Sequence, residues 1–135
     1  MVTPASDIAV ASMASLKGVR ILVVEDEPFI AFDLMMAIEE AGAVAVGPAA
    51  TVAEALDFIG NEPPEGAILD VNLPDGTVGP VLDALPRTVA VVVHTGMGLP
   101  PELQARHPRL AVFSKPTEPA MLLRRIAASL EARAG

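Results

Sequence analysis

The stretch VRILVVEDEPFIAFDLMMAIEEAG, residues 19–42, contains the unit from which the fold can be predicted. Its first part, residues 20–25, is a short aliphatic run rich in β-branched side chains, which is typical of a strand buried in a parallel sheet. Pro28 then opens a helix with apolar residues at every fourth position, and Gly42 ends it. A strand followed at once by an amphipathic helix is the repeating unit of an α/β fold.

The same alternation continues along the rest of the chain. Further strands are predicted at residues 43–46, 67–70, 89–93 and 110–113. Further helices are predicted to begin at residues 51, 78, 100 and 117. Strand and helix therefore alternate five times, which predicts a parallel sheet with helices on both faces.

Length, composition and charge exclude several classes of protein. The chain has 135 residues, no Cys and a formal net charge of −8. This length suits one domain, and the lack of Cys excludes both disulfides and thiolate metal sites. The negative net charge and the lack of a basic patch argue against direct nucleic-acid binding. No apolar run approaches the roughly 20 residues that span a bilayer. We therefore expect a cytoplasmic protein that contacts neither nucleic acid nor membrane directly.

The first 17 residues, MVTPASDIAVASMASLK, differ from the rest of the chain because small side chains dominate them. They lack the basic start and the continuous apolar stretch of a signal peptide. We expect residues 1–17 to form a flexible N-terminal extension and residues 18–133 to form the domain. The alternative is a short helix that packs on the domain or on a second copy of the chain.

Polar residues end the apolar strands, at the edge where open parallel sheets bind their ligands. In chain order they are Glu25, Asp26, Asp70, Thr95 and Lys115. Three carboxylates at one edge repel one another unless a cation lies among them, and a few carboxylates completed by water and substrate suit Mg²⁺. An ammonium and a hydroxyl can bind phosphoryl oxygens. The pattern therefore predicts a site for Mg²⁺ and a phosphoryl group, with a carboxylate as the nucleophile.

Four segments, VVEDEP, ILDVNLPDG, HTG and FSKP, resemble in order and position the four motifs of response-regulator receiver domains. The resemblance covers about residues 18–133, and four motifs on successive strand ends are far more specific than any one of them. It implies the flavodoxin-like receiver fold, with five parallel strands in the order 2-1-3-4-5 and helices on both faces. It also implies a stand-alone phosphoacceptor of two-component signalling that is not a conventional enzyme, although it assists its own phosphorylation and dephosphorylation.

The resemblance implies a phosphoacceptor and a metal site that share one carboxylate. Asp70 would attack the phosphorus of a phosphohistidine. Asp26 and Asp70 would bind Mg²⁺ directly, together with the backbone carbonyl of Asn72. Glu25 would act on the metal through water.

The resemblance also implies how the phosphoryl group is held once it is formed. Lys115 would pair with the phosphoryl group, and Thr95 would donate a hydrogen bond to it. Receivers usually have a cis peptide after this lysine, so the bond between Lys115 and Pro116 is expected to be cis, which is otherwise uncommon.

One position departs from the usual receiver pattern. Most receivers carry Tyr or Phe three residues before the lysine, where this chain has Val112, and the adjacent Phe113 should face the other side of the sheet. The segment VHTGMGL, residues 93–99, resembles in its Thr-Gly-hydrophobic-Gly core a subgroup with a Phe-Ala-Thr-Gly-hydrophobic-Gly-Tyr motif, which also lacks that aromatic residue. The subgroup tends to work with histidine kinases of the HWE type. The expected partners are therefore such a sensor kinase or a phosphotransfer protein, and a downstream protein.

Two other functions fit parts of this pattern. A phosphatase of the haloacid dehalogenase type also uses a strand-end Asp, Mg²⁺ and Lys, but typically carries a second Asp where this chain has Asn72. A pseudo-receiver would bind partners without phosphorylation, and only Val112 points that way. His94 and His107 have neither a partner His nor a Cys, so both are predicted to be structural residues.

Overall fold

The structure of the protein, a computed structural model, describes residues 15–134. In chain order the strands of this part are β1 (Arg20–Val24), β2 (Val44–Ala49), β3 (Gly66–Leu69), β4 (Asn72–Leu73), β5 (Gly76–Thr77), β6 (Ala90–Thr95) and β7 (Ala111–Ser114). The helices are α1 (Pro28–Glu40), α2 (Val52–Asn61), α3 (Gly79–Ala84), α4 (Pro101–Arg106) and α5 (Pro119–Ala134). Among these helices, none has the length and apolarity that a bilayer-spanning segment needs.

Five of the strands form one parallel sheet in the spatial order β2-β1-β3-β6-β7. Since β6 and β7 are the fourth and fifth strands of this sheet along the chain, the predicted order 2-1-3-4-5 is confirmed. The strands β4 and β5 pair with each other in an antiparallel hairpin directly after β3, where the sequence predicted no strand. This hairpin lies at the carboxyl end of the central strand.

The sheet carries an apolar core on each face. Side chains of β1 alternate between the two cores, so that Ile21 and Val23 join one while Leu22 and Val24 join the other. The first core is covered by α1 and α5, and the second by α2, α3 and α4. The prediction of helices on both faces is confirmed.

The edge strand β2 is irregular near its end. Its register against β1 shifts between Leu22 and Val24, beside Gly47 and Pro48, whose peptide bond is cis. The strand continues to Ala49, three residues further than predicted.

Residues just before the predicted boundary at residue 18 pack against the domain. Leu16 is fully buried in the core under α1 and α5. The Gly18 N–H donates to the carbonyl of Gly42 at 2.8 Å, which ties this segment to the end of α1. Gly42 has a φ of +82°, a conformation that favours glycine and ends the helix where the sequence predicted. Residues 1–14 of the predicted extension lie outside the described residues, where its flexibility stays a prediction.

Helix α5 leaves no room for a side chain at Gly66 of β3. A Cβ atom there would lie 3.0 Å from Cγ2 of Ile126 and 3.4 Å from Cγ1 of Ile21. We expect Gly66→Ala to lower the free energy of unfolding by about 1–3 kcal/mol, because an added methyl group forces a packed core to shift. Gly60→Ala is the matched control: its Cβ would meet nothing within 4 Å, so alanine should stabilise α2 by about 0.5–1 kcal/mol. Urea unfolding measures the free energy of unfolding of both variants. A Gly66→Ala variant as stable as the wild type would contradict the tight packing.

The hairpin is attached to the start of α2 by the side chain of Asp75. Its Oδ1 accepts the N–H of Val52 at 2.8 Å, and its Oδ2 accepts the N–H of Ala53 at 3.1 Å. These N–H groups belong to the first turn of the helix, where no carbonyl of the helix can accept them. Thr51 also accepts the N–H of Glu54 at 3.1 Å and so caps the helix that the sequence predicted to begin at residue 51.

This cap should make stability depend on pH. The N–H of Val52 holds the pKa of Asp75 below its ordinary value of 3.8. Because the pKa is lower in the folded state, the cap stabilises the fold above the unfolded pKa and is lost as pH falls through the folded pKa. We expect Asp75→Asn to lower the free energy of unfolding at pH 7, and this difference to shrink at about pH 3. Urea titrations at both pH values test it, and an equal difference at the two would contradict the assignment.

Candidate functional site

Three carboxylates meet at the carboxyl ends of two neighbouring strands. Glu25 and Asp26 follow β1 and Asp70 follows β3, and one oxygen of each lies within 4.8 Å of the others. The strands bring them together because Val24 and Leu69 are register partners. Glu25 and Asp70 are buried, whereas Asp26 is exposed. The acids that the sequence placed at one edge of the sheet thus converge.

Lys115 reaches this cluster from the end of β7. Its Nζ lies 2.8 Å from Oε1 of Glu25 and 3.0 Å from Oδ2 of Asp70. Its side chain is only 20% exposed, so these ion pairs are shielded from water. The peptide bond between Lys115 and Pro116 is cis, as the resemblance implied.

Burial and the ion pairs set the protonation of the site. Burial raises the pKa of Glu25 above its ordinary value, although the hydrogen bond from Lys115 opposes this. Burial alone would lower the pKa of Lys115, but the hydrogen bonds to Glu25 and Asp70 outweigh it and raise that pKa. Lys115 is therefore a permanent cation beside Asp70.

The donor set of the cluster fits a hard divalent cation. Three carboxylates and one ammonium leave a formal charge of −2 when all are ionised. The candidate ligands are oxygens only, and exposed Asp26 leaves the site open to water and substrate. Mg²⁺ binds through a few carboxylates while keeping several waters, so the residues present suit this ion.

Two further predicted residues lie at the same rim without bonding the cluster. Thr95 is buried at the end of β6, where its Oγ1 accepts the N–H of Met97 at 3.2 Å and donates to the carbonyl of Gly98 at 3.5 Å. Asn72 is exposed at the start of the hairpin, two residues after Asp70. A phosphoryl group on Asp70 would have to compete with the loop for the Thr95 hydroxyl.

Val112 and Phe113 point to opposite faces of the sheet, as predicted. Val112 is 43% exposed, while Phe113 packs against the core under α1 and α5. The exposed face of β7 therefore carries no aromatic ring.

Sequence reasoning missed two features near the rim. His94 was predicted to be structural, and it is buried, but its Nε2 accepts the N–H of Thr117 in the loop that carries Lys115. Three large apolar side chains are exposed on α1, beside the exposed acids Asp33, Glu39 and Glu40: Phe29, Phe32 and Met36 are 81%, 62% and 45% exposed. The signal for this second feature was in the sequence, since α1 has more apolar residues than one buried stripe can use.

No family model matches the chain, and no curated protein matches it. Among solved structures, the chain is similar to the response regulator PhyR of Brucella abortus, with a TM-score of 0.75 and 28% identity over 95% of this chain and 54% of that one. It is also similar to the PhyR stress response regulator solved at 1.25 Å, with a TM-score of 0.70 and 30% identity over 90% of this chain and 48% of that one.

A third similar structure is the receiver domain of Erythrobacter litoralis PhyR, with a TM-score of 0.69 and 25% identity over 85% of this chain and 92% of that one. The chain thus spans about half the length of the two longer PhyR structures, but nearly all of the isolated domain. Its fold is the flavodoxin-like fold of response-regulator receiver domains.

Proposed function

We propose that this receiver-type signalling domain accepts a phosphoryl group on Asp70 from a histidine kinase, in a Mg²⁺-dependent reaction, and acts as a switch on partner proteins. One observation carries the proposal: the Lys115 ammonium lies 3.0 Å from Oδ2 of Asp70, and the same Asp70 carboxylate lies beside Glu25 and Asp26. A nucleophile, a fixed cation and a set of metal ligands thus share one site.

The acids of the cluster would hold the metal. Asp26, Asp70 and the backbone carbonyl of Asn72 would bind Mg²⁺ directly, and Glu25 would act through water. When bound, Mg²⁺ would neutralise negative charge on the phosphoryl oxygens.

The side chains would then carry out the transfer. A carboxylate oxygen of Asp70 forms a bond to phosphorus while the phosphorus–nitrogen bond of phosphohistidine breaks, and the electron pair leaves on the imidazole nitrogen. Lys115, whose Nζ lies 3.0 Å from Asp70 Oδ2, would pair with the transferred group. Thr95 would donate its hydroxyl hydrogen bond to a phosphoryl oxygen instead of to the Gly98 carbonyl. This change would shift the exposed loop at residues 96–98.

The three exposed apolar side chains of α1 support a protein phosphodonor. Phe29, Phe32 and Met36 are spaced by three and four residues, so they lie on one side of the helix, which begins two residues after Asp26. We propose that a sensor kinase of the HWE type, or a phosphotransfer protein, docks on this face and presents its phosphohistidine to the rim. The Thr-Gly-hydrophobic-Gly pattern of residues 95–98 supports a kinase of that type. Such a partner implies a cytoplasmic location.

The two alternatives are less well supported. The phosphatase reading needs a second acid where Asn72 stands, and Asn72 is exposed in the hairpin. The pseudo-receiver reading requires that the assembled cluster take no phosphoryl group.

Labelling with a small phosphodonor tests the proposal against the pseudo-receiver. The protein is incubated with acetyl phosphate and Mg²⁺, and the label is mapped by mass spectrometry. We expect one phosphoryl group, on the peptide that contains Asp70, and much less without Mg²⁺. A wild-type protein that takes no label would favour the pseudo-receiver.

A further inference from the structure

We propose that His94 is a positioning residue for Lys115: it anchors the loop after β7 and thereby sets the place of the ammonium beside Asp70. The inference rests on the proposed phosphoryl transfer, because the placement of Lys115 matters for that reaction. His94 itself contacts neither the phosphoryl group nor the acids. It acts through the backbone of Thr117.

The anchor consists of hydrogen bonds from the loop to the last two residues of β6. The Lys115 N–H donates to the carbonyl of Thr95 at 2.8 Å, and the Thr117 N–H donates to Nε2 of His94 at 3.3 Å. Between these two donors stands Pro116, which has no N–H. Both backbone donors of the segment from Lys115 to Thr117 are therefore held by β6.

The bond to His94 requires a neutral ring. His94 is 4% exposed, and burial keeps its pKa below the ordinary value of 6.5, with the charge of Lys115 acting in the same direction. Nε2 can accept a hydrogen bond only when it carries no proton, so the ring proton sits on Nδ1. Burial thus favours the neutral ring that can bind Thr117, while Nδ1 is buried without a hydrogen-bond partner among the described residues.

Packing alone does not fix the loop on the side of α1. A cavity of about 150 Å³ lies there, lined by Ile30 and Leu34 of α1 and by His94, Lys115, Pro116 and Thr117. A second tie comes from the Thr117 hydroxyl, which donates to the carbonyl of Ser114 at 2.5 Å. Thr117 thus ties the loop to two neighbouring strands, to β7 through Ser114 and to β6 through His94.

Loss of this fastening should displace Lys115 from a site that needs accurate geometry. A misplacement of about 1 Å near a reaction can slow it by up to 10²-fold. His94→Leu keeps the size and apolar burial of the ring but removes the acceptor. His94→Gln places an amide oxygen near the position of Nε2 and should restore the bond, whereas His94→Asn is too short to reach Thr117.

The experiment compares labelling by acetyl phosphate and Mg²⁺ in the wild type and these three variants of the full chain. We expect His94→Leu and His94→Asn to label Asp70 roughly tenfold more slowly, and His94→Gln to label within about threefold of the wild type. Amide exchange at Thr117 should be faster in the two slow variants and near wild type in His94→Gln. Mg²⁺ should still bind all of them, because every acid of the cluster is retained.

A purely structural His94 would give a different pattern. In that case His94→Leu would lower the denaturation midpoint but label at the wild-type rate below it, which would overturn the inference. A tenfold loss in His94→Gln with intact protection at Thr117 would also overturn it, even if His94→Leu does not fold. If the wild type carried no label on Asp70, the proposed function itself would be wrong. If the wild type is labelled, the variants test the role of His94 alone.

Discussion

The variant Asp70→Asn should take no label from acetyl phosphate while it keeps the fold. An amide is not a nucleophile towards phosphorus, and Glu25, the other acid beside Lys115, is more deeply buried than Asp70, at 2% against 8% exposed. In the wild type Oδ1 of Asp70 accepts the N–H of Val71 at 2.8 Å and Oδ2 accepts a hydrogen bond from Lys115; the single oxygen of the amide can keep the first bond, and Lys115 keeps its ion pair with Glu25. The loss should therefore be complete and chemical, with little change in the circular dichroism spectrum.

The matched control for this variant is Asp57→Asn. Asp57 is exposed on α2, away from the rim, so its amide variant should be labelled like the wild type. Mass spectrometry of both variants gives the answer. Undiminished labelling of Asp70→Asn would show that the phosphoacceptor lies elsewhere.

Mg²⁺ should stabilise the folded protein through the acid cluster. The ion offsets repulsion among three carboxylates and binds only where the fold brings them together. The gain follows RT ln(1 + [L]/Kd), which is about 1.4 kcal/mol at ten times Kd. Because the chain has no Trp and no Tyr, thermal melts are best followed by circular dichroism.

Asp26→Asn should erase most of that gain. Asp26 is the exposed acid of the cluster, and the substitution removes one negative ligand without adding bulk. Asp57→Asn again serves as the control and should keep the full Mg²⁺-induced shift in Tm. A shift of equal size in Asp26→Asn would argue against a metal site at this residue.

The order of strands and helices could be predicted because the signals for it are local. Aliphatic runs of four to six residues and helical spacing of apolar residues need no knowledge of distant contacts. The end of β2 was missed because Gly47 and Pro48 argue against a strand. An edge strand tolerates proline, since one of its sides needs no ladder hydrogen bonds, and β2 proved to be such an edge.

Other features depend on contacts that a single sequence does not show. The hairpin of β4 and β5 has strands of two residues each, too short for any periodicity. Leu16 sits among small residues and gave no sign of joining the core. The acids were found because strand ends define a common rim, whereas the contact of His94 depends on the course of the loop after β7.

The irregular edge at β2 has a consequence for how copies of this chain behave at high concentration. The chain has a mean hydropathy of +0.50, and 52% of its residues are apolar, so its exposed sheet edges are sites where strands of two molecules could pair and aggregate. At β2 the register shift disturbs the edge, and exposed Pro48 withholds one backbone donor. A second strand added there would meet a broken ladder within a few residues. This edge of the sheet is thus poorly suited to growth into larger assemblies.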